Sequence, residues 1–122
     1  MAGFKKFEEI KAWQKARIAT KKVYEITSNE RFVKDFGLRD QIRRSCVSIM
    51  ANIAEGQGRN SDKEFANFLN FAHGSIAETQ SHLYIALDLD YLNQNSFQEI
   101  YDLLEEVAKM TMALMKHLRN IG

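Results

Sequence analysis

The stretch LRDQIRRSCVSIMANIAEGQG, residues 38–58, decides the fold. Leu38, Ile42, Cys46, Ile49 and Ile53 recur every three or four residues, the spacing that lines one face of an α-helix. Val47, Met50 and Ala54 make a second apolar stripe, turned by about 100° from the first. A third, narrow row is polar: Gln41, Ser45, Ser48, Asn52 and Glu55. Little of this helix is left for water. A helix apolar over most of its circumference in a small domain is usually covered on more than one side. The second stripe is therefore expected to face another copy of the chain. Gly56-Gln57-Gly58 then reads as a helix stop, because glycine tolerates the backbone turn that ends a helix.

The same periodicity extends in both directions. Upstream, Ile10, Trp13, Ala16, Thr20, Val23 and Thr27 predict a first helix from about Phe7 to Thr27. The connection Ser28 to Gly37 carries Phe32, Val33 and Phe36, which are expected to close one end of the domain. Downstream, Ser61-Asp62-Lys63-Glu64 is a capping-box pattern opening a third helix. Its stripe runs through Phe65, Phe68/Leu69, Ala72, Ile76, Thr79, Leu83 and Ala86/Leu87. A similar pattern, Ser96-Phe97-Gln98-Glu99, opens a fourth helix with Ile100, Leu103, Leu104, Val107, Met110, Leu114, Leu118 and Ile121. No stretch alternates with period two. Short links favour antiparallel neighbours, so the expectation is an all-α, up-down-up-down antiparallel four-helix bundle, one domain over residues 1–122.

Composition agrees. Of 122 residues, 45% are hydrophobic, too many for a disordered chain, and proline, the strongest helix breaker, is absent. The single cysteine, Cys46, allows no intrachain disulfide and no thiolate cluster, and is read as a small buried hydrophobe. The first nine residues are charged, without a signal-peptide apolar core, and no apolar run suits a membrane span, so a cytoplasmic location is expected. Net charge is +1 but unevenly spread. Residues 1–63 hold 14 Lys/Arg against 8 Asp/Glu, and residues 64–122 hold 3 against 8. That asymmetry permits either a basic face or a contact between subunits of opposite charge.

Helix two also carries a family likeness. Ser48-Ile49-Met50-Ala51-Asn52-Ile53-Ala54-Glu55-Gly56, preceded by Leu38-Arg39-Asp40-Gln41-Ile42-Arg43-Arg44, resembles the signature of the 23S rRNA intervening-sequence proteins. The run from Phe68 to Glu78 is similar to that family's third-helix motif, and the likeness extends from Phe7 to Leu118. The resemblance implies a bacterial four-helix bundle that assembles as a homopentamer, with no established enzymatic activity. A related branch, the accessory proteins of diversity-generating retroelements, is strongly basic and binds nucleic acid; this chain is nearly neutral.

No catalytic residues, metal ligands or cofactors are assigned. His73, His82 and His117 lack the spacings of a metal-binding helix, and Gly56-Gln57-Gly58 is too short to cradle a phosphate. Lys11, Lys15, Arg17, Lys21 and Lys22 on helix one, with Arg39, Arg43, Arg44 and Arg59 on or beside helix two, are the candidate nucleic-acid contacts. Acidic residues interleave with them, and no aromatic–basic stacking motif is visible. Asn52, Glu55, Gly56 and Glu78 are the candidate polar network, either structural or ligand-binding. Val47, Met50, Ala54 and Gly74 are the candidate oligomer interface; Gly74 belongs to a small-residue row with Asn70, Ala77 and Ser81. The reading is a non-enzymatic homo-oligomeric binding or scaffold protein with a protein partner, or alternatively an accessory protein that binds RNA or DNA.

Overall fold

The computed structural model describes residues 3–121. Four helices make the bundle: α1 (Lys11–Ile26), α2 (Phe36–Gln57), α3 (Asp62–Asp88) and α4 (Gln94–Ile121). Single 3-10 turns at Phe7–Glu9 and Phe32–Lys34 precede α1 and α2, and no strand occurs among the described residues. Each helix packs on its neighbours in chain order, and α1 closes the ring against α4. The helices alternate in direction, so the fold is the expected antiparallel bundle.

Helix one is shorter than expected at its start. Ile10 takes an extended backbone conformation, which separates the 3-10 turn from α1. Its buried face is also rotated. Ala12, Ala16, Ala19 and Val23 are buried, while Trp13 and Thr20 sit half-buried at the edge. Alanines let α1 lie close to the other three helices, and the bulky indole is left at the seam, edge-on to Phe7 at 5.0 Å.

The α2 core stripe is as expected: Leu38, Ile42, Cys46, Ile49 and Ile53 are all buried. The helix stop works differently. Gly56 lies inside α2, buried, and Gly58 caps it with an ordinary right-handed φ of −74°. The left-handed residue of this turn is Asn60, at φ 56°. Ser61 then caps α3, its Oγ accepting from the Glu64 N–H at 3.3 Å. Helix α4 begins two residues before the expected box. Asn93, not Ser96, is its cap, with Oδ1 accepting from the Ser96 N–H at 2.8 Å. The α4 stripe contains Ile100, Leu104, Val107 and Leu118 as expected. Thr111 and Met115 are buried where Met110 and Leu114 are only half-buried, and the side chain of Ile121 lies outside the described residues.

The long connection closes one end of the bundle with the α3–α4 turn. Phe32 is fully buried with its ring 5.0 Å from Tyr91. Asn29 donates to the Tyr91 carbonyl at 2.8 Å, and Arg31 donates to the carbonyls of Leu89 and Asp90. The Tyr91 hydroxyl donates to Asp35, whose other oxygen caps α2. That bond to a carboxylate raises the Tyr91 pKa above the ordinary phenol value. Phe36 does not join this closure: it is 65% exposed on the first turn of α2.

Candidate functional site

The basic residues of helices one and two do not form one uncovered cationic face. Lys15 pairs with Glu106, and Lys22 with Glu99 at 2.6 Å. Both partners lie on α4. The two lysines are seven residues apart, as are the two glutamates, so the pairs form a ladder across the antiparallel α1–α4 seam. Hydrogen bonding to Glu99 raises the Lys22 pKa. Part of the charge asymmetry between the two halves of the chain is thus used inside one bundle. Arg39 pairs with Asp40 at 2.9 Å, which lowers the Asp40 pKa, and Arg59 pairs with Glu55 at 3.1 Å. Among the described residues, Lys11, Lys21 and Arg44 have no ion-pair or hydrogen-bond partner, and Arg17 is exposed.

Several arginines instead lie over aromatic rings. Arg17 sits above Trp13 at 5.8 Å, Arg43 above Tyr24 at 4.6 Å and Arg39 above Phe36 at 4.9 Å. All three lie along α1 and α2. Arg43 also donates to the Thr27 hydroxyl at 2.7 Å and to Ser28, which fixes its guanidinium across the seam. Only the Arg43–Tyr24 pair joins two helices and is hidden in the sequence; Trp13 with Arg17 and Phe36 with Arg39 are spaced four and three residues apart on one helix. A guanidinium over a ring is a flat cationic surface of the kind that nucleic-acid bases and phosphates both recognise.

The proposed polar network of Asn52, Glu55, Gly56 and Glu78 divides into local contacts. Glu55 pairs with Arg59 on the next turn, and Glu78 lies 3.9 Å from His82 on its own helix. Asn52 donates to the backbone and hydroxyl of Ser48. Gly56 is a packing residue: a Cβ there would lie 2.7 Å from the Phe68 Cβ. The polar seam between α2 and α3 is built from hydroxyls instead. Ser45 meets Thr79 at 2.8 Å in the core, and Ser48 meets Ser75 at 3.0 Å. Thr79 and Ser75 were not expected to take part; only the polar row on α2 hinted at such a seam.

The candidate interface residues part company too. Val47 is 42% exposed, as an external contact requires. Met50 packs partly against the core. Met50 and Ala54 stand two and three turns beyond Arg43 on the side that faces α1, so the second apolar stripe lies mainly in the α1–α2 seam. Gly74 is on the outside of α3 with no atom within 4 Å of a built Cβ. Phe71, 57% exposed, stands one turn before it, and Ile85, 45% exposed, lies three turns beyond, with exposed Ala77, Glu78 and Ser81 between.

Among the described residues no three His, Cys, Asp or Glu side chains are grouped to share a metal ion. No helix among the described residues is long and apolar enough to cross a membrane.

Residues 8–113 match the model of the 23S rRNA-intervening sequence proteins. The chain belongs to that family. A crystal structure from Bacteroides thetaiotaomicron, described as a protein with unknown function from the S23 ribosomal protein family, is similar at 28% identity. It superposes with a TM-score of 0.79 over 86% of this chain and 98% of its own. No curated protein matches the chain. Neither the 23S rRNA-intervening sequence protein family nor this relative carries a described catalytic activity.

Proposed function

We propose that this member of the 23S rRNA-intervening sequence family is a non-enzymatic cytoplasmic scaffold that assembles with copies of itself, as a ring of five by the family resemblance. The supporting observation is the outer face of α3, where Phe71 is 57% exposed one turn before a bare Gly74 and Ile85 is 45% exposed three turns beyond it. Exposed aromatic and aliphatic side chains along one helix face suit a contact surface. Glycine leaves a lane along which another backbone can lie close. Val47 on α2 adds a third exposed apolar residue.

Light scattering tests this reading. The wild type should weigh five times the 14.1 kDa of one chain. Phe71→Glu combined with Val47→Asp should bring the mass down to that of a single chain while the helical circular dichroism stays. A wild-type protein of single-chain mass, or a variant that stays assembled, overturns it. Met50→Glu is the weaker probe, because Met50 also contributes to the core.

A second reading, binding of RNA or DNA, is favoured by the arginine–aromatic pairs on α1 and α2 together with Lys11, Lys21 and Arg44. It predicts that a labelled single-stranded RNA binds with an affinity falling steeply as salt rises, since phosphate contacts release counterions. Arg17→Ala with Arg43→Ala should weaken that binding. Affinity indifferent to salt would rule the reading out.

A further inference from the structure

A groove of about 500 Å³ runs along the outside of the bundle between α3 and α4. Ile76, Ala77, Ala108, Met112 and Ala113 supply its apolar lining, and three of these five are alanines, which give it depth. At one end the same seam continues into aromatic residues. Tyr84, 49% exposed, lies 4.9 Å from the Phe97 ring and 5.8 Å from Tyr101. From Tyr101 to Lys116 the seam follows α4 for about 22 Å, roughly four helical turns. The length and the small-residue floor suit a helix laid into a groove, with apolar side chains at every third or fourth position entering it.

Charge specifies the occupant further. Helix α4 carries Glu99, Asp102, Glu105 and Glu106, but Glu99 and Glu106 are engaged by α1, Asp102 accepts from Gln98, and Glu105, the one carboxylate of the groove, accepts a hydrogen bond from Gln80 at 2.9 Å. Two cations border the groove, Lys109 and Lys116, seven residues apart on one side of α4. Neither has a partner among the described residues. His73 Nδ1, on the α3 wall away from the aromatic end, is buried and also without a hydrogen-bond partner. An apolar groove bordered by two unpaired lysines complements an apolar stripe bordered by carboxylates. The outer faces of α1 and α2 in a second copy, with Ile18 and Val47 among Lys11, Lys21 and Arg44, would set like charges against these lysines.

We infer that the α3–α4 groove is a docking site for an acidic amphipathic helix of a partner protein. The groove shares only Ala77 with the small-residue row of α3 and nothing with the arginine–aromatic face, so single chains and assemblies alike should present it. The probe is a fluorescein-labelled helical peptide of about 15 residues, matching the groove length. It carries leucines at helical spacing and two glutamates one heptad apart; a counterpart carries lysines in place of the glutamates. Fluorescence anisotropy on the full chain should show saturable binding of the glutamate peptide only. Lys109→Glu with Lys116→Glu should weaken that binding roughly tenfold or more and confer binding of the lysine peptide. Ala113→Trp, at an exposed position of the α4 wall, should fill the groove and block both. The inference is overturned if the glutamate peptide fails to bind, or if both peptides bind the wild type equally. It is also overturned if Ala113→Trp dissociates an assembly that the wild type forms in light scattering, because a second copy would then occupy the groove.

Discussion

Gly56 of α2 and Phe68 of α3 approach so closely that no β-carbon fits between them: one built on Gly56 falls 2.7 Å from the Phe68 Cβ and 3.0 Å from the Phe65 ring. The crossing of these two helices near their connecting turn is set by that glycine. Gly56→Ala should therefore destabilise the protein despite alanine's better helix propensity. Overpacking costs about 1–3 kcal/mol and the propensity gain offsets up to about 1 kcal/mol. A urea titration should place the midpoint lower by the difference, and an unchanged or higher midpoint would show that the helices can separate at no cost.

Gly74 is the opposite case. With no neighbouring atom near a built Cβ, Gly74→Ala should stabilise the isolated chain by about 0.5–1 kcal/mol through reduced backbone entropy. If copies pack along α3, the same methyl should weaken assembly, seen as a mass that falls on dilution sooner than the wild type's. Greater chain stability with undiminished assembly would place Gly74 outside the interface.

Ser45 and Thr79 form a buried hydroxyl pair between α2 and α3. Thr79→Val keeps the shape but removes Ser45's partner, which should cost about 1–3 kcal/mol, toward the lower end because Ser45 retains its bond to the Ile42 carbonyl. Adding Ser45→Ala should recover part of that loss. Strict additivity in a double-mutant cycle would mean that the pair contributes nothing as a pair.

Burial of Cys46 pushes its thiol up to about 11, with only the Thr20 hydroxyl nearby to oppose the shift. The unfolded chain ionises this thiol from pH about 9, whereas the folded chain holds it neutral until about 11. The folded pKa is the higher one, so stability is fully present below pH about 9 and declines toward 11. The decline is about 2–3 kcal/mol for two pH units. Cys46→Ala should show a smaller drop across this window in urea titrations at several pH values. Identical slopes would contradict the shift.

The α2 stripe from Leu38 to Ile53 and the α3 stripe from Phe65 to Leu83 were legible because large aliphatic side chains repeat there without competition. Helix α1 was harder. Trp13 and Thr20 drew the expected face toward themselves, while the true face is marked by Ala12, Ala16 and Ala19, whose small size carries little periodic signal. Gly56 looked like a helix end because a glycine needed for close packing and one needed for a turn are the same residue on paper. The candidate surfaces were legible only as residue types. Nothing in the order of residues reveals that Lys15 and Lys22 would be matched by Glu106 and Glu99, or that Arg43 would lie over Tyr24. Those pairings depend on which helices become neighbours and at what register.

The Lys15–Glu106 and Lys22–Glu99 ladder has a consequence for the order in which the bundle forms. Helices α2 and α3, like α3 and α4, are joined by short turns and can meet as hairpins soon after the chain collapses. Helices α1 and α4 lie at opposite ends of the chain, so their contact closes the longest loop in the molecule and meets the largest entropic opposition. The seam between α1 and α4 is then the last to zip and the first to part. Its ion pairs are solvent-facing and yield to salt, so raising ionic strength should loosen α1 selectively, with its amides exchanging faster than those of α2 and α3. The first helix thereby acts as the clasp of a three-helix body.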